Sequence, residues 1–320
     1  MLHAVPEYYT AFRCAADRCR HTCCAGWEVD IDAETLANYR AIPGELGARL
    51  AAAIDPDGDA PHFRLSADER CPFLNERNLC DLILAGGDGL LCQICRDHPR
   101  FRSFLPGRTE TGLGLCCEAA AALILSQDGP VRLLTQGTED PEDEWAAALL
   151  VLRDNIMSTV WGRSISLEER MDRILSACGA SLPERSMTNW AAFYRGMERL
   201  DEAWTGVLDK LEVRGDSVDI IQFKTYMTDR EAEYEQLLAY FVFRHFLKAY
   251  DDGDITSKAA FAVLSTRLLQ AIGAVHFAEH GAFTFADQVE YARMYSAEIE
   301  YSEDNMDALF DELTCSDGKA

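Results

Sequence analysis

The sequence predicts a mainly α-helical protein, in which an irregular, metal-stabilised, cysteine-rich N-terminal domain precedes an α-helical domain. Ten of the twelve cysteines lie between Cys14 and Cys117. Regular hydrophobic patterns are hard to find over residues 71–108, whereas apolar residues recur at helical spacing beyond residue 142. The chain of 320 residues is also long for a single hydrophobic core. We therefore predict two domains, 1–130 and 131–320.

The N-terminal domain is predicted to hold few regular elements. Residues 28–31 alternate in polarity and indicate a short strand or turn, and Asp32 is a suitable N-cap for a helix over residues 33–41. Residues 55–61 are rich in Asp, Pro and Gly and indicate a loop. Irregular backbone of the kind expected over residues 71–108 buries little apolar area, so metal coordination is its usual support.

The rest of the chain predicts a series of helices, one of them opened by a capping box at Ser166 and Glu169. The helix over residues 231–250 is apolar on almost every side, which indicates a buried central position. Residues 213–223 are compatible with a short strand. The predicted helices span residues 118–126, 142–161, 167–178, 188–211, 231–250, 256–280 and 285–300.

The net charge of −24 restricts the possible partners. Residues 1–130 carry 12 basic and 19 acidic residues, and residues 131–320 carry 18 basic and 35 acidic residues. Such an acidic surface repels phosphate backbones, so a nucleic-acid partner is not expected. It would attract a lysine-bearing protein, although charge of this size also serves solubility alone.

The N-terminus and the hydropathy predict a cytoplasmic protein. Residues 1–7 show neither the basic nor the apolar region of a secretory signal, and no apolar run approaches the ~18 residues of a membrane span. Because cytosolic thiols are kept reduced, we expect the clustered cysteines to bind metal rather than to form disulfides.

The cysteines occur in groups whose spacing is typical of metal ligands. Zinc and iron–sulfur clusters both require about four thiolates, often from paired positions, and the spacing alone does not separate the two. The Cys-x3-Cys-x2-Cys pattern of radical S-adenosylmethionine enzymes is absent, because Gly26 stands three residues after Cys23. The groups are Cys14-x4-Cys19-x3-Cys23-Cys24, Cys71-x8-Cys80, Cys92-x2-Cys95 and Cys116-Cys117.

Four arginines follow Cys95 closely: Arg96, Arg100, Arg102 and Arg108. Guanidinium groups stabilise a negatively charged cluster or bind the carboxylate of a ligand, although a solvated basic loop would show the same pattern. The sequence has no Gly-x-x-x-x-Gly-Lys-Ser/Thr motif and no Gly-x-Gly-x-x-Gly after a strand, so nucleotide binding by a P-loop or a Rossmann fold is not expected.

These residues resemble the flagellin lysine-N-methylases. The closing segment 295–305 is similar to the family's last motif, and residues 234–246 are similar to its aromatic-rich helix. Within the segment 295–305, Ala297 stands where the family has an arginine and Tyr301 where it has a histidine. The cysteine signature is carried by Pro6, Tyr8, Phe12, Cys14, Cys19, Cys23-Cys24, Gly26-Trp27, Cys71-Pro72-Phe73-Leu74, Leu79-Cys80, Cys95, Pro99-Arg100 and Leu115-Cys116.

The resemblance implies an S-adenosylmethionine-dependent protein lysine N-methyltransferase that acts on flagellin or a similar lysine-rich protein. It also implies an iron–sulfur cluster, of the 4Fe-4S type before zinc. Glu298 and Glu300 are the candidates for accepting the proton of the lysine, and Arg96 and Arg100 are the candidates for cofactor binding. The candidate metal ligands are Cys14, Cys19, Cys23, Cys24, Cys71, Cys80, Cys95 and Cys116.

Two other functions compete with the enzyme. One is a non-enzymatic zinc- or iron-binding cysteine-cluster protein whose helical domain docks a basic partner. The other is an electron-transfer or metal-delivery protein. Binding of S-adenosylmethionine separates the enzyme from both, and reversible redox cycling separates the last from the rest.

Overall fold

A computed structural model of the chain describes residues 1–26, 29–56, 60–138 and 143–314. It divides into two compact units. We call residues 13–100 the cysteine-rich unit, and residues 1–12 together with residues from 101 onward the helical unit. The predicted mainly helical class is confirmed, and the boundary that the sequence suggested at residue 130 lies within the helical unit.

Six strands are present in the described residues, and four of them form one sheet in the order β4-β5-β1-β6. In this sheet β1 runs parallel to β5, with Leu2 opposite Arg108, and antiparallel to β6, with Leu2 opposite Gly137. The strands are β1 (Leu2–Pro6), β2 (Ile54–Asp55), β3 (His62–Phe63), β4 (Arg100–Leu105), β5 (Arg108–Leu113) and β6 (Leu133–Gly137).

The cysteine-rich unit contains the short hairpin of β2 and β3 and four helices. Its helices are α1 (Ala33–Ala41), α2 (Gly44–Ala53), α3 (Asp81–Gly86) and α4 (Gln93–Asp97). Helix α1 has the predicted bounds, and Asp32 caps it by accepting a hydrogen bond from the Thr35 amide at 2.9 Å. The second carboxylate oxygen of Asp32 accepts from the Gln93 amide at 2.9 Å, so one side chain joins the starts of α1 and α4.

The cysteine-rich unit has an apolar core of its own, whose members come from every part of the unit. The expectation that residues 71–108 lack regular structure is corrected: they contain α3, α4, β4 and the first residue of β5. Four residues of this segment, Phe73, Leu82, Leu91 and Cys92, are buried in the core. The core consists of Val29, Ile31, Tyr39, Leu50, Phe63, Phe73, Leu82, Leu91 and Cys92.

The helical unit consists mainly of eleven described helices in addition to the four-stranded sheet. The helices are α5 (Glu118–Leu125), α6 (Glu144–Val160), α7 (Leu167–Ala177), α8 (Met187–Arg195), α9 (Glu202–Arg214), α10 (Ile220–Tyr226), α11 (Glu231–His245), α12 (Ala249–Asp252), α13 (Ile255–His280), α14 (Phe285–Tyr295) and α15 (Glu303–Thr314).

Helices α11 and α13 form the centre of this unit and are buried along most of their length. Gly273 of α13 lets the two helices approach closely, because a Cβ atom there would lie 2.7 Å from the Phe223 ring and 2.8 Å from the Tyr234 hydroxyl. By length and composition α13 could cross a membrane, but 83% of its most apolar window is buried inside the protein, as in the core helix of a globular protein.

Several predicted helices differ from the structure. The helix expected over residues 188–211 is instead two helices, α8 and α9. The suggestion of a short strand within residues 213–223 is wrong, since Ile220–Tyr226 is helical and capped by Asp219. The helix expected over residues 285–300 changes to a π-helical turn, Ser296–Glu300, after α14. π-Helical turns are rare and often occur at functional sites.

Candidate functional site

The π-helical turn Ser296–Glu300 places the Glu300 carboxylate against one face of α11. Its Oε2 accepts a hydrogen bond from the Tyr240 hydroxyl at 2.9 Å, and its Oε1 lies 2.6 Å from His245 Nε2. The Arg244 guanidinium lies 3.4 Å from the same Oε1. Tyr240 and Arg244 share one side of α11 because i and i+4 positions are neighbours on a helix, and His245 is the last residue of the same helix.

This network is buried, and its electrostatics favour one charge state. Burial alone would raise the pKa of Glu300, but the Arg244 charge and the hydrogen bond with His245 outweigh it and lower the pKa to about 2. Burial lowers the pKa of His245 to about 4. At neutral pH Glu300 is therefore ionised and His245 neutral, so the imidazole donates from Nε2 and carries its lone pair on Nδ1.

The remaining atoms of the network are nearly all engaged. Arg244 donates to the Tyr240 hydroxyl at 2.7 Å and lies between the rings of Phe101 and Tyr301, with its guanidinium carbon 4.9 Å and 4.7 Å from the two ring centroids. Among the described residues, His245 Nδ1 is buried and has no hydrogen-bond partner. The network thus contains one ionised carboxylate and one imidazole lone pair without a partner, and the lowered pKa values keep both groups unprotonated at neutral pH.

Glu298 lies two residues before Glu300 but has a different environment. Its two carboxylate oxygens accept hydrogen bonds from the amides of Leu200 and Asp201, at 2.9 and 2.8 Å. Burial raises the pKa of this carboxyl. Glu298 therefore binds the backbone at the start of α9, and this contact accompanies the break between α8 and α9 that the sequence analysis missed.

The thiols of the cysteine-rich unit converge from three segments of the chain. The Cys71 amide donates to the Cys24 carbonyl at 2.8 Å, and a bridge between Leu74 and Cys80 turns the chain back beside Cys71. Cys92 and Cys95 share a side-chain hydrogen bond, which raises the pKa of Cys95 together with burial and the nearby Cys24 and Cys71. Five thiols therefore lie near one another.

Cys92 is the member of this group that the sequence analysis did not choose as a ligand. It is fully buried and is the N-cap residue of α4, whose first amide is bound by Asp32. Its Cys-x2-Cys spacing with Cys95 was the available signal. Burial raises the pKa of Cys71 to about 12, and the hydrogen bond with Cys23 lowers that of Cys24 to about 7.

The other predicted ligands lie in different environments. Cys14 is exposed, and Cys19 donates to the His21 carbonyl at 2.7 Å. Cys23 is exposed, and its thiol shares a hydrogen bond with the thiol of Cys24. Cys116 belongs to the helical unit, where its thiol is hydrogen-bonded to Tyr301.

Over the described ranges, no group of three or more His, Cys, Asp or Glu side chains is arranged as a metal site requires. The group nonetheless brings five donors of one chemical kind, the thiols of Cys24, Cys71, Cys80, Cys92 and Cys95. That donor set suits zinc or an iron–sulfur cluster in its chemistry.

The two arginines predicted to bind a cofactor lie in the cysteine-rich unit, next to α4. Arg100 donates from Nη1 to the Arg96 carbonyl oxygen at 3.0 Å. Both follow Cys95 directly along α4 and the start of β4, as the sequence spacing indicated. Their role in cofactor binding stays a prediction.

Fold and site together define a mainly helical protein that combines a cysteine-rich unit with a buried carboxylate–arginine–imidazole network. Residues 187–317 match the model of the FliB lysine N-methylase C-terminal domain. Over this segment, which contains Tyr240, Arg244, His245 and Glu300, the chain is similar to the lysine N-methylase family.

Curated proteins are similar to the chain over a stretch of comparable length. Over 134 residues the chain is 28% identical to the "Lysine-N-methylase" of Salmonella typhimurium (strain LT2) and to that of Salmonella choleraesuis, which covers 40% of this chain and 33% of each relative. It is 27% identical over 134 residues to the "Flagellar biosynthetic protein FliU" of Salmonella muenchen, covering 40% of this chain and 79% of that protein. The matched stretch thus spans about a third of the first two relatives, and no solved structure matches the chain.

Proposed function

We propose that this protein is an S-adenosylmethionine-dependent protein lysine N-methyltransferase of the cytoplasm, acting on flagellin or a similar lysine-rich protein. The observation that carries the proposal is that the segment matching the lysine N-methylase domain contains the buried Glu300 network. The flagellar name of one relative and the acidic character of this chain support a basic protein substrate.

The chemistry explains why a buried carboxylate is useful here. A lysine attacks a methyl sulfonium only as a neutral amine, so its proton must be removed. Glu300 is the proposed acceptor, because its carboxylate keeps its charge at neutral pH. The proton of the lysine would reach it through the Tyr240 hydroxyl, which donates a hydrogen bond to Glu300. Glu298, the second candidate, is proposed to position the segment, because both of its oxygens already bind amides.

S-Adenosylmethionine supplies the methyl group in this proposal. Arg96 and Arg100 are the proposed contacts for its carboxylate, since guanidinium groups bind carboxylates through paired hydrogen bonds. We further propose that thiols of the cysteine-rich unit hold an iron–sulfur cluster, with zinc as the alternative. The unit's grouping of thiols supports four ligands chosen from Cys24, Cys71, Cys80, Cys92 and Cys95.

Methyl transfer tests the proposal directly. Protein purified without oxygen is incubated with methyl-labelled S-adenosylmethionine and flagellin, and iron, zinc and acid-labile sulfide are measured in the same preparation. We expect label on flagellin lysines, its loss in Glu300→Gln, and its retention in Glu303→Gln, a matched change at an exposed residue of α15. Absence of label with folded, metal-loaded protein would overturn the proposal.

A non-enzymatic metal-binding protein is the second candidate. The observation that favours it is that the carboxylates of Glu298 and Glu300 are both buried and bonded to groups of the protein itself. Under this alternative the protein binds metal and a basic partner, but S-adenosylmethionine produces no saturable signal in a calorimetric titration.

A further inference from the structure

A cavity of about 120 Å³ lies in the helical unit, between β1, α6 and α11. Its wall is mainly aromatic and aliphatic, and α6 and α11 supply most of it. Its lining includes Tyr8, Met157, Trp161, Tyr240, Phe243 and Asp154.

The four aromatic rings give this cavity a specific chemistry. Aromatic faces carry negative potential and attract an alkylated cation that has been partly removed from water. The rings of several aromatic residues around one small space form the kind of cage that binds methylated ammonium groups. The volume is close to that of an engineered cavity of 150 Å³ that accepts one benzene ring, so a single side chain fits and a whole nucleoside does not.

The polar groups at the cavity also suit a cation that carries N–H donors. The Tyr8 side chain is buried, and no hydrogen bond of its hydroxyl is found in the described part of the chain. Burial raises its pKa, so the hydroxyl stays neutral and can accept a hydrogen bond. Asp154 lines the cavity with a side chain that is 71% exposed, which places a carboxylate on the solvent side.

One positive charge lines the cavity as well, and it is compensated. Arg153 is buried and its Nη1 lies 2.5 Å from Glu110 Oε2, while its Nη2 lies 3.6 Å from Asp154. Glu110 in turn binds Arg108 at 2.7 Å. The Arg153 guanidinium carbon also lies 6.0 Å from the centroid of the Phe243 ring. Because Glu110 balances the Arg153 charge, the other three rings and Asp154 determine what the cavity attracts.

The cavity is joined to the candidate site through one residue. The Tyr240 ring forms part of the cavity wall, and its hydroxyl is bonded to Glu300 at 2.9 Å and to Arg244 at 2.7 Å. We propose that this cavity receives the side chain of a lysine, unmethylated or methylated on Nζ, of a protein substrate. The inference rests on the proposed function for the identity of its occupant.

Fluorine NMR of protein labelled with 5-fluorotryptophan tests the inference at the cavity itself. The chain has five tryptophans, and Trp161 alone of the described ones lines the cavity. The probe is Nα-acetyl-lysine amide and its Nζ-trimethylated form. Nα-Acetyl-norleucine amide, called norleucine amide below, has no charged amine and is the matched control ligand, and the Trp161 signal is assigned from Trp161→Phe.

We expect both lysine probes to shift the Trp161 signal saturably, and norleucine amide to shift it far less. Because Trp161→Ala has no such signal, its binding is measured by calorimetry, and it is expected to be about tenfold weaker than in the parent, the effect of losing one cation–π contact. Trp145→Ala, on the same helix but outside the cavity, is expected to leave binding unchanged. Equal shifts with norleucine amide, or no shift with the lysine probes, would overturn the inference.

S-Adenosylmethionine is titrated as well, because its sulfonium is also an alkylated cation. A Trp161 shift with this compound and none with the lysine probes would assign the cavity to the methyl donor and overturn the lysine assignment. Methyl transfer to flagellin without a lysine-dependent shift overturns only this inference. A shift without methyl transfer overturns the proposed function and leaves the cavity assignment standing.

Discussion

Replacement of Glu300 by Gln is the most direct test of the buried network. Gln has nearly the same shape as Glu but carries no charge, so Arg244 loses its buried counter-ion while the packing is kept. The low pKa of Glu300, about 2 against an ordinary value of 4.5, corresponds to roughly 3 kcal/mol in favour of the ionised folded state. Breaking a buried ion pair from one side typically costs about 3–5 kcal/mol, which agrees with this magnitude.

The pH dependence of this effect has a definite sign. Because the folded pKa of Glu300 is lowered, its stabilisation is fully present above pH 4.5 and is lost as the pH falls toward 2. His245 acts separately: its folded pKa is also lowered, to about 4 from 6.5, so the unfolded chain takes up this proton first and stability falls between those values. Both the parent and Glu300→Gln should show the His245 decline.

Urea unfolding followed by circular dichroism, at a series of pH values, measures these differences. We expect Glu300→Gln to be about 3 kcal/mol less stable at neutral pH, and the difference to narrow below pH 4.5. Glu298→Gln is the comparison. Burial raises the pKa of the Glu298 carboxyl, so the ionised form of Glu298 gives no such stabilisation. The difference in unfolding free energy between Glu298→Gln and the parent should therefore not narrow in acid. A difference below about 1 kcal/mol for Glu300→Gln, or one that widens in acid, would refute the reasoning.

Three further changes test other parts of the structure. Cys95→Ser should lower the metal content of the purified protein and its melting temperature. Cys178 is a buried thiol of the helical unit, so Cys178→Ala should leave the metal content unchanged. Equal metal content in the two variants would contradict the ligand assignment. Glu235→Gln should destabilise the protein by about 3 kcal/mol in urea unfolding, because the fully buried Arg170 guanidinium 2.5 Å away loses its buried charged partner and keeps only the half-exposed Glu231. Asp254→Ala should cost about 1 kcal/mol, since Asp254 caps α13 by accepting from the Ser257 amide at 2.9 Å; no change would show that the cap is dispensable.

Elements that depend on neighbouring residues could be predicted from the sequence. Helix α1 has the predicted bounds because Asp32 and the Thr35 amide are only three residues apart, and Ser166 opens α7 in the same manner. The long apolar run of α11 correctly indicated a buried helix. In each case the signal and the group that responds to it lie within one or two turns.

The structure departs from the sequence-based predictions where the hydrogen-bond partner of a segment comes from a distant part of the chain. The break between α8 and α9 is bound by Glu298, almost a hundred residues further along the chain, and β1 pairs with β5, more than a hundred residues away. Neither contact leaves a local pattern, because a hydrogen bond to a remote carboxylate or strand is not encoded in the spacing of nearby residues.

The sequence by itself determined the helical class and the thiol-rich region, and it indicated Glu298 and Glu300 as candidates. Only the tertiary structure distinguished the two glutamates, since one binds backbone amides while the other meets Tyr240, Arg244 and His245. It also brought Cys92 into the group of thiols. The physical reason is the same in both cases: the pKa and contacts of a buried group depend on what packs against it, and that is decided by residues far away in the chain.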